Sequence, residues 1–306
     1  MIKTYSAPDI AQIGGFTAEE TEQFVEARRA HGLNVDRGWG LMYQSTADSI
    51  MLDHRPDYAR YFYEGLRTLR TRLEQTHTET SNPVQLTITS FQHLPMYILY
   101  GWETGIYNEF RHLQSRGLSK AQLMELVMFA QLQAGMRGLQ LVYNAVGRYL
   151  PDWRDGPGEV PLPDGWAADP EAFKAGLDLS VRDLTSADRN AIATWYERTI
   201  GYMPNSVKFA MTYHPEFYKW HRARWEIIFQ KLPKQTAPYV MIRQHMLTGN
   251  TEALREAVLL GKAWGITREW LVHGFAATAY YTGFEALHSA HEAVHDILQI
   301  SQDEEK

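Results

Sequence analysis

Residues 265–298 read GITREWLVHGFAATAYYTGFEALHSAHEAVHDIL, and the reading of the whole chain starts from them. Thr267 stands as an N-cap, and Trp270, Leu271, Phe275, Ala276 and Ala279 recur at helical spacing. Gly283 breaks the pattern. Leu287, Ala290, Val294 and Ile297 resume it at intervals of three and four, which predicts a helical hairpin with one buried face. Subtracting 148 from each number gives GLSKAQLMELVMFAQLQAGMRGLQLVYNAVGRYL, with Gly117 under Gly265, Ser119 under Thr267, Gly135 under Gly283 and Leu139 under Leu287. Gly101 falls under Gly249 in the same way. Glycines at matching intervals, with equivalent N-caps, predict two copies of one helical unit.

The chain has 306 residues, 44% apolar and 12% aromatic, enough to bury a large core. Its net charge of −6, with no basic run of five or more, argues against binding nucleic acid or an anionic membrane. Cysteine is absent, which removes disulfides, thiolate nucleophiles and CxxC redox chemistry and leaves metal binding to His and carboxylates. The opening MIKTYSAPDIAQIGG lacks the apolar centre of a signal peptide, and no window approaches about 18 uninterrupted apolar residues. The expectation is a soluble, cytoplasmic protein.

Residues 1–15 read as an extended arm, and Thr17 and Glu20 are spaced as a capping box at the start of a polar helix. Two helical patterns over 45–73 are separated near Arg55 and Pro56, and the polar THTETSNP at 76–83 interrupts the chain. A helix is expected from Val84 to about Leu94, interrupted by Pro95 at a kink or a local insertion. Residues 151–172, with five prolines and four aspartates, read as a linker. Over 179–229 the pattern is helical throughout except at GYMPN and HPEF. Pro215-Glu216 and Pro56-Asp57 each open an aromatic-rich helix, which extends the repetition. The expected architecture is all-α: a first unit over 1–150, a linker over 151–176 and a second unit over 177–306.

Several of these pieces resemble the carboxymuconolactone decarboxylase and alkylhydroperoxidase-D-like superfamily. They are Gly201-Tyr-Met-Pro204-Asn205, His214-Pro215-Glu216-Phe217, Gly265-Ile-Thr267-Arg-Glu269 and Tyr281-Thr-Gly283-Phe284 with Ala286 and Ala290, which together span most of 177–298. The first half matches more loosely, through Gly101, Gly117, Ser119 and Gly135. The resemblance implies two tandem alkylhydroperoxidase-D-like helical units forming a pseudo-two-fold double domain that oligomerises. Peroxidase members carry CxxC followed by a His; here those positions are Asn250, Ala253 and Ala257, and Trp102, Gly105 and Glu109 in the first half. Thiol peroxidase chemistry is thereby excluded. The family's Glu eight residues after the hairpin glycine is Glu125 in copy one and His273 in copy two, and its Pro after Gly-Phe is Glu285.

Other constellations could carry chemistry. His291-Glu292-Ala-Val-His295 spells HExxH, but a zinc protease needs a third ligand in a context that is missing, and His288 lies two turns, about 10 Å, from His295. Glu109-Phe-Arg-His112 and Glu292-Ala-Val-His295 have the Glu-x-x-His spacing of di-iron carboxylate bundles, which require two further Glu such as Glu64 or Glu74 and Glu252 or Glu256. Gln92-His93 and Gln244-His245 sit in apolar settings, as hydrogen-bonding mortar or as proton-transfer sites. Glu125, inside LMELVMF, is expected to have a raised pKa unless Arg137 or Arg148 pairs with it. Tyr97, Tyr100, Trp102, Tyr107, Tyr280 and Tyr281 offer aromatic faces for a flat ligand or a subunit interface.

The leading expectation is a cofactor-free lyase resembling the decarboxylase branch, acting by general acid/base catalysis on a small aromatic-derived acid or lactone. Glu125, His273, His93 and His245 are expected to move protons; Tyr281, Trp102, Tyr100 and Gln244 to bind substrate. No metal is expected; if one binds, Glu109, His112, His291, Glu292 and His295 are its ligands. The alternatives are a di-iron oxidase and a non-catalytic helical binding or assembly protein. A small-molecule substrate and a homo-oligomer are the expected partners.

Overall fold

The computed structural model describes residues 81–298 apart from 157, together with Arg55, Tyr58 and Tyr61. The N-terminal arm, the Thr17/Glu20 capping box, the helical patterns over 45–73 and the carboxylates Glu64 and Glu74 lie outside the described residues.

Among the described residues every regular element is helical. In chain order they are α1 (Ser81–Tyr100), α2 (Glu103–Ser115), α3 (Lys120–Val146), α4 (Ser186–Ile200), α5 (Asn205–Tyr213), α6 (Pro215–Ile227), α7 (Thr236–Thr248), α8 (Thr251–Ala263), α9 (Arg268–Thr282) and α10 (Ala286–Val294), with one 3-10 turn at Pro170–Phe173. No described helix is long and apolar enough to cross a membrane.

Two compact units divide these elements. One holds the described residues up to Leu123 together with Gln140–Pro161; the other holds Met124–Leu139 and the described residues from Leu162 onward. In the first, α1 packs on α2. Gly105 makes that contact close, since a β-carbon there would stand 2.9 Å from the Tyr97 ring. In the second, α7 packs against α8, α9 and α10, and α8 also against α4 and α10. Phe173 anchors an aromatic cluster at centroid distances of 4.9 Å to Trp225, 4.8 Å to Trp264 and 5.6 Å to Phe229. The proline-rich segment read as a linker thus contributes to packing: Trp153 and Trp166 are buried.

Two expectations about helix limits are corrected. Pro95 does not end its helix; α1 runs on to Tyr100 with Pro95 inside it. The helix also begins earlier than expected, at Ser81. Pro in a helix interior costs about 3 kcal/mol. The burial of Ile88, Phe91, Leu94 and Tyr97 along α1 supplies the tertiary packing that outweighs it. The second correction concerns residues 179–185, which form a loop where the sequence pattern read as helical. Thr185 accepts from Asp188 N–H and Asp188 accepts from Thr185 N–H, a capping box that starts α4 at Ser186.

Adding 148 to the limits of α2 gives those of α8, and adding it to the first residue of α3 gives that of α9. Ser119 and Thr267 each accept from the backbone N–H three residues on. Gly135 interrupts α3 at φ 63°, ψ −156°, and Gly283 closes α9 at φ 98°, ψ 155°. That region of backbone space is open essentially to glycine alone.

Candidate functional site

In the first unit, α1 and α2 bring three expected residues together. Residues 105, 109 and 112 fall on one stripe of α2, and His93 meets that stripe from α1. Glu109 is 1% exposed. Its Oε1 lies 3.4 Å from His93 Nδ1, and its Oε2 lies 3.4 Å from His112 Nδ1. These are ion-pair contacts, long for hydrogen bonds, and neither oxygen has a tighter donor among the described residues. Burial opposes ionisation of Glu109, yet the two imidazoles outweigh it and hold the carboxyl well below the usual carboxylate range. The result is an ionised, buried carboxylate with one imidazole facing each of its oxygens. His112 Nε2 is buried without a hydrogen-bond partner among the described residues. His93 stacks on Tyr97 at 5.7 Å, and Tyr97 meets Trp102 edge-on at 5.3 Å. Tyr100 and Trp102 lie partly exposed at the α1–α2 turn.

A second polar cluster occupies the other unit, between α7 and α9. Tyr239 Oη and His273 Nδ1 are 2.6 Å apart and both residues are buried. Burial raises the Tyr239 pKa, against the pull of Arg243. Arg243 is fully buried; its Nε donates to Thr278 Oγ1 at 3.4 Å, and its guanidinium stands 5.3 Å from the Tyr281 ring centre. Thr278 Oγ1 in turn donates to Gly274 O at 2.7 Å. The side-chain oxygen and nitrogen of Gln244 are buried with no hydrogen-bond partner among the described residues. His245, on the same helix, is pushed down to about 4 by burial and is neutral at pH 7.

Glu125 has a different setting. Its carboxylate accepts the backbone N–H groups of Gln230, Lys231 and Leu232 at 3.2, 2.9 and 2.9 Å. Burial pushes its pKa up, and those amides oppose the rise. Its pKa is raised, as one of the two sequence readings had it, and its partners are main-chain amides; the other reading offered Arg137 or Arg148.

In the C-terminal HExxH stretch, on α10 and just beyond it, His291, Glu292 and His295 are exposed while Ala293 and Val294 are buried. His291 and His295 stack at 5.0 Å, and His295 Nδ1 lies 2.9 Å from His291 O. Among the described residues no group of three or more His, Asp or Glu side chains is arranged to hold a metal ion.

Sequence reasoning did not select Tyr239, Arg243 or Thr278, although an arginine inside YVMIRQHML is a visible signal of a buried cation. It also passed over Glu256 as a titrating group. Burial, with Glu252 beside it, raises that carboxyl to about 7. Compared with protein-family models, with curated proteins and with solved structures, the chain matches none.

Proposed function

We propose that the chain is a cofactor-free lyase of the decarboxylase type, acting on a small aromatic-derived acid or lactone, with the His93–Glu109–His112 cluster as its proton-transfer group. The observation that carries this reading is the buried Glu109 carboxylate with one imidazole on each oxygen. In a decarboxylation the bond to the leaving carboxylate breaks, its electron pair stays on carbon, and carbon takes a proton. An imidazole held against the Glu109 carboxylate is a donor suited to that step, since the carboxylate orients the ring. Glu109 also stands where the resembling peroxidases carry the His of their motif, and Gly105 where they carry the second Cys.

The same reading takes the chain as two copies of one helical unit related by a pseudo-two-fold axis. The shared limits of α2 and α8 and the glycine-only backbone at Gly135 and Gly283 support it. A homo-oligomer is part of the proposal as well, supported by the exposed Phe209, Tyr213, Phe217 and Trp220 on α5 and α6.

The test is a turnover assay following carbon dioxide release and ring opening over a panel of aromatic-derived lactones and carboxylic acids. Glu109→Gln and His93→Asn are expected to lower turnover by about 100-fold or more with the fold retained, the range for loss of a general acid or base. Turnover unchanged in both variants would overturn the reading.

A further inference from the structure

Helix α2 carries a second stripe, Tyr107, Arg111 and Gln114, offset by two residues from the stripe that holds Glu109 and therefore on the opposite face. A cavity of about 300 Å³ opens there, completed by residues 148–154 after α3. Its chemistry is unlike that of the buried cluster. Arg111, Arg148 and Arg154 all line it, against the single carboxylate of Asp152. None of the three arginines has a carboxylate within ion-pair distance among the described residues. Two of them are already positioned by aromatic rings: the Arg111 guanidinium stands 5.6 Å from the centre of Trp153, and that of Arg148 stands 4.6 Å from the centre of Tyr149. A guanidinium against an aromatic face keeps N–H groups at its edge that can meet an anion; one edge group of Arg148, Nη2, donates to the Tyr149 hydroxyl, and its other N–H groups remain. Arg111 Nη1 also donates to Gln114 Oε1 at 3.1 Å, and Gln114 Nε2 donates to the Arg154 carbonyl, which ties the arginine-bearing segments together.

The aromatic walls set the other half of the specificity. Tyr107 and Tyr149 are 5.5 Å apart and tilted, and Trp153 is buried edge-on against Phe110 at 5.7 Å. A cavity of this size, with aromatic sides and convergent cations, fits a compact planar ligand with an anionic end. Three guanidinium forks call for three acceptor oxygens. A phosphomonoester offers three and a carboxylate two. We infer that this cavity binds the phosphomonoester of a flat ring, a simple aryl phosphate or a nucleoside monophosphate. The site is separate from the Glu109 cluster and does not depend on the lyase reading.

Isothermal titration of the full chain at low ionic strength tests it, with phenyl phosphate and adenosine monophosphate as probes and inorganic phosphate and benzoate as controls. One or both ring phosphates should bind one per chain, at least tenfold tighter than either control, and should weaken as salt is raised. Binding of phenyl phosphate alone assigns the site to aryl phosphates, and preference for the nucleotide assigns it to mononucleotides. Arg111→Gln with Arg148→Gln should weaken binding at least tenfold. Arg148→Lys, which keeps the charge and loses the fork, should fall between wild type and that double variant, and thermal melts of each variant check folding. Ring phosphates binding no tighter than inorganic phosphate, or binding that survives the double substitution, would overturn the inference. So would a loss of binding confined to variants that no longer melt cooperatively, with Arg148→Lys folded and unaffected.

Discussion

Leu232 donates its backbone N–H to Glu125 Oε2 at 2.9 Å, across 107 positions of sequence. Lys231 and Gln230 donate to the same carboxylate, so three consecutive amides close on one side chain. These groups have no helical partner, and Glu125 satisfies them in the interior of its unit. Glu125→Gln puts an amide nitrogen where an oxygen now accepts. The expected loss is about 1–3 kcal/mol of stability, the cost of leaving a buried donor unmet. Urea denaturation measures it, and an unchanged midpoint would show that this capture does not hold the segment.

Lys219 is fully buried and donates from Nζ to Asp188 Oδ2 at 2.8 Å, to Val181 O at 2.8 Å and to Asp183 O at 2.9 Å. Burial works against the Asp188 charge, but Lys219 and the amides of Asp178 and Thr185 hold its carboxyl at about 2. Lys219→Met leaves a buried carboxylate without its counter-charge and removes the donor to two carbonyls, at a cost of about 3–5 kcal/mol. Replacing both partners, Lys219→Met with Asp188→Leu, should recover part of that loss. A double variant as unstable as the single one would mean that the loop carbonyls, and not the ion pair, carry the effect.

His245 makes stability depend on mild acid. An unfolded imidazole takes its proton near 6.5, whereas burial delays protonation of His245 in the folded chain to about 4. The unfolded state therefore binds the extra proton first, and stability falls as pH drops from about 6.5 through 4. His245→Gln should flatten that part of the pH–stability curve while leaving the curve near pH 8 in place. Parallel curves for variant and wild type would assign the acid sensitivity to other groups.

What could be read in the sequence was local. Ser119 and Thr267 announce their helices because a hydroxyl three residues before a free amide is sufficient signal, and Gly283 stops α9 for a reason internal to one residue. The candidate site was legible only in halves. His93 stood out in one pair and Glu109 with His112 in another, but nothing along the chain says that α1 and α2 pack so that His93 meets Glu109. That contact depends on Gly105, where the missing side chain lets the Tyr97 ring come close. Pro95 was misread because its effect on a helix is local while the burial that overrides it is tertiary. Glu125 was read for its charge, and its partners are main-chain amides, which no residue name reveals.

Gly135 and Gly283 have a bearing on how this chain can drift. Every single-nucleotide change that replaces a glycine codon with another residue adds a β-carbon, and the backbone at both positions tolerates none without a cost of about 1–3 kcal/mol. Most surface positions can wander while these two stay fixed. Two glycines 148 positions apart, each held by its own backbone, are therefore expected to outlast most of the residues between them as the sequence diverges.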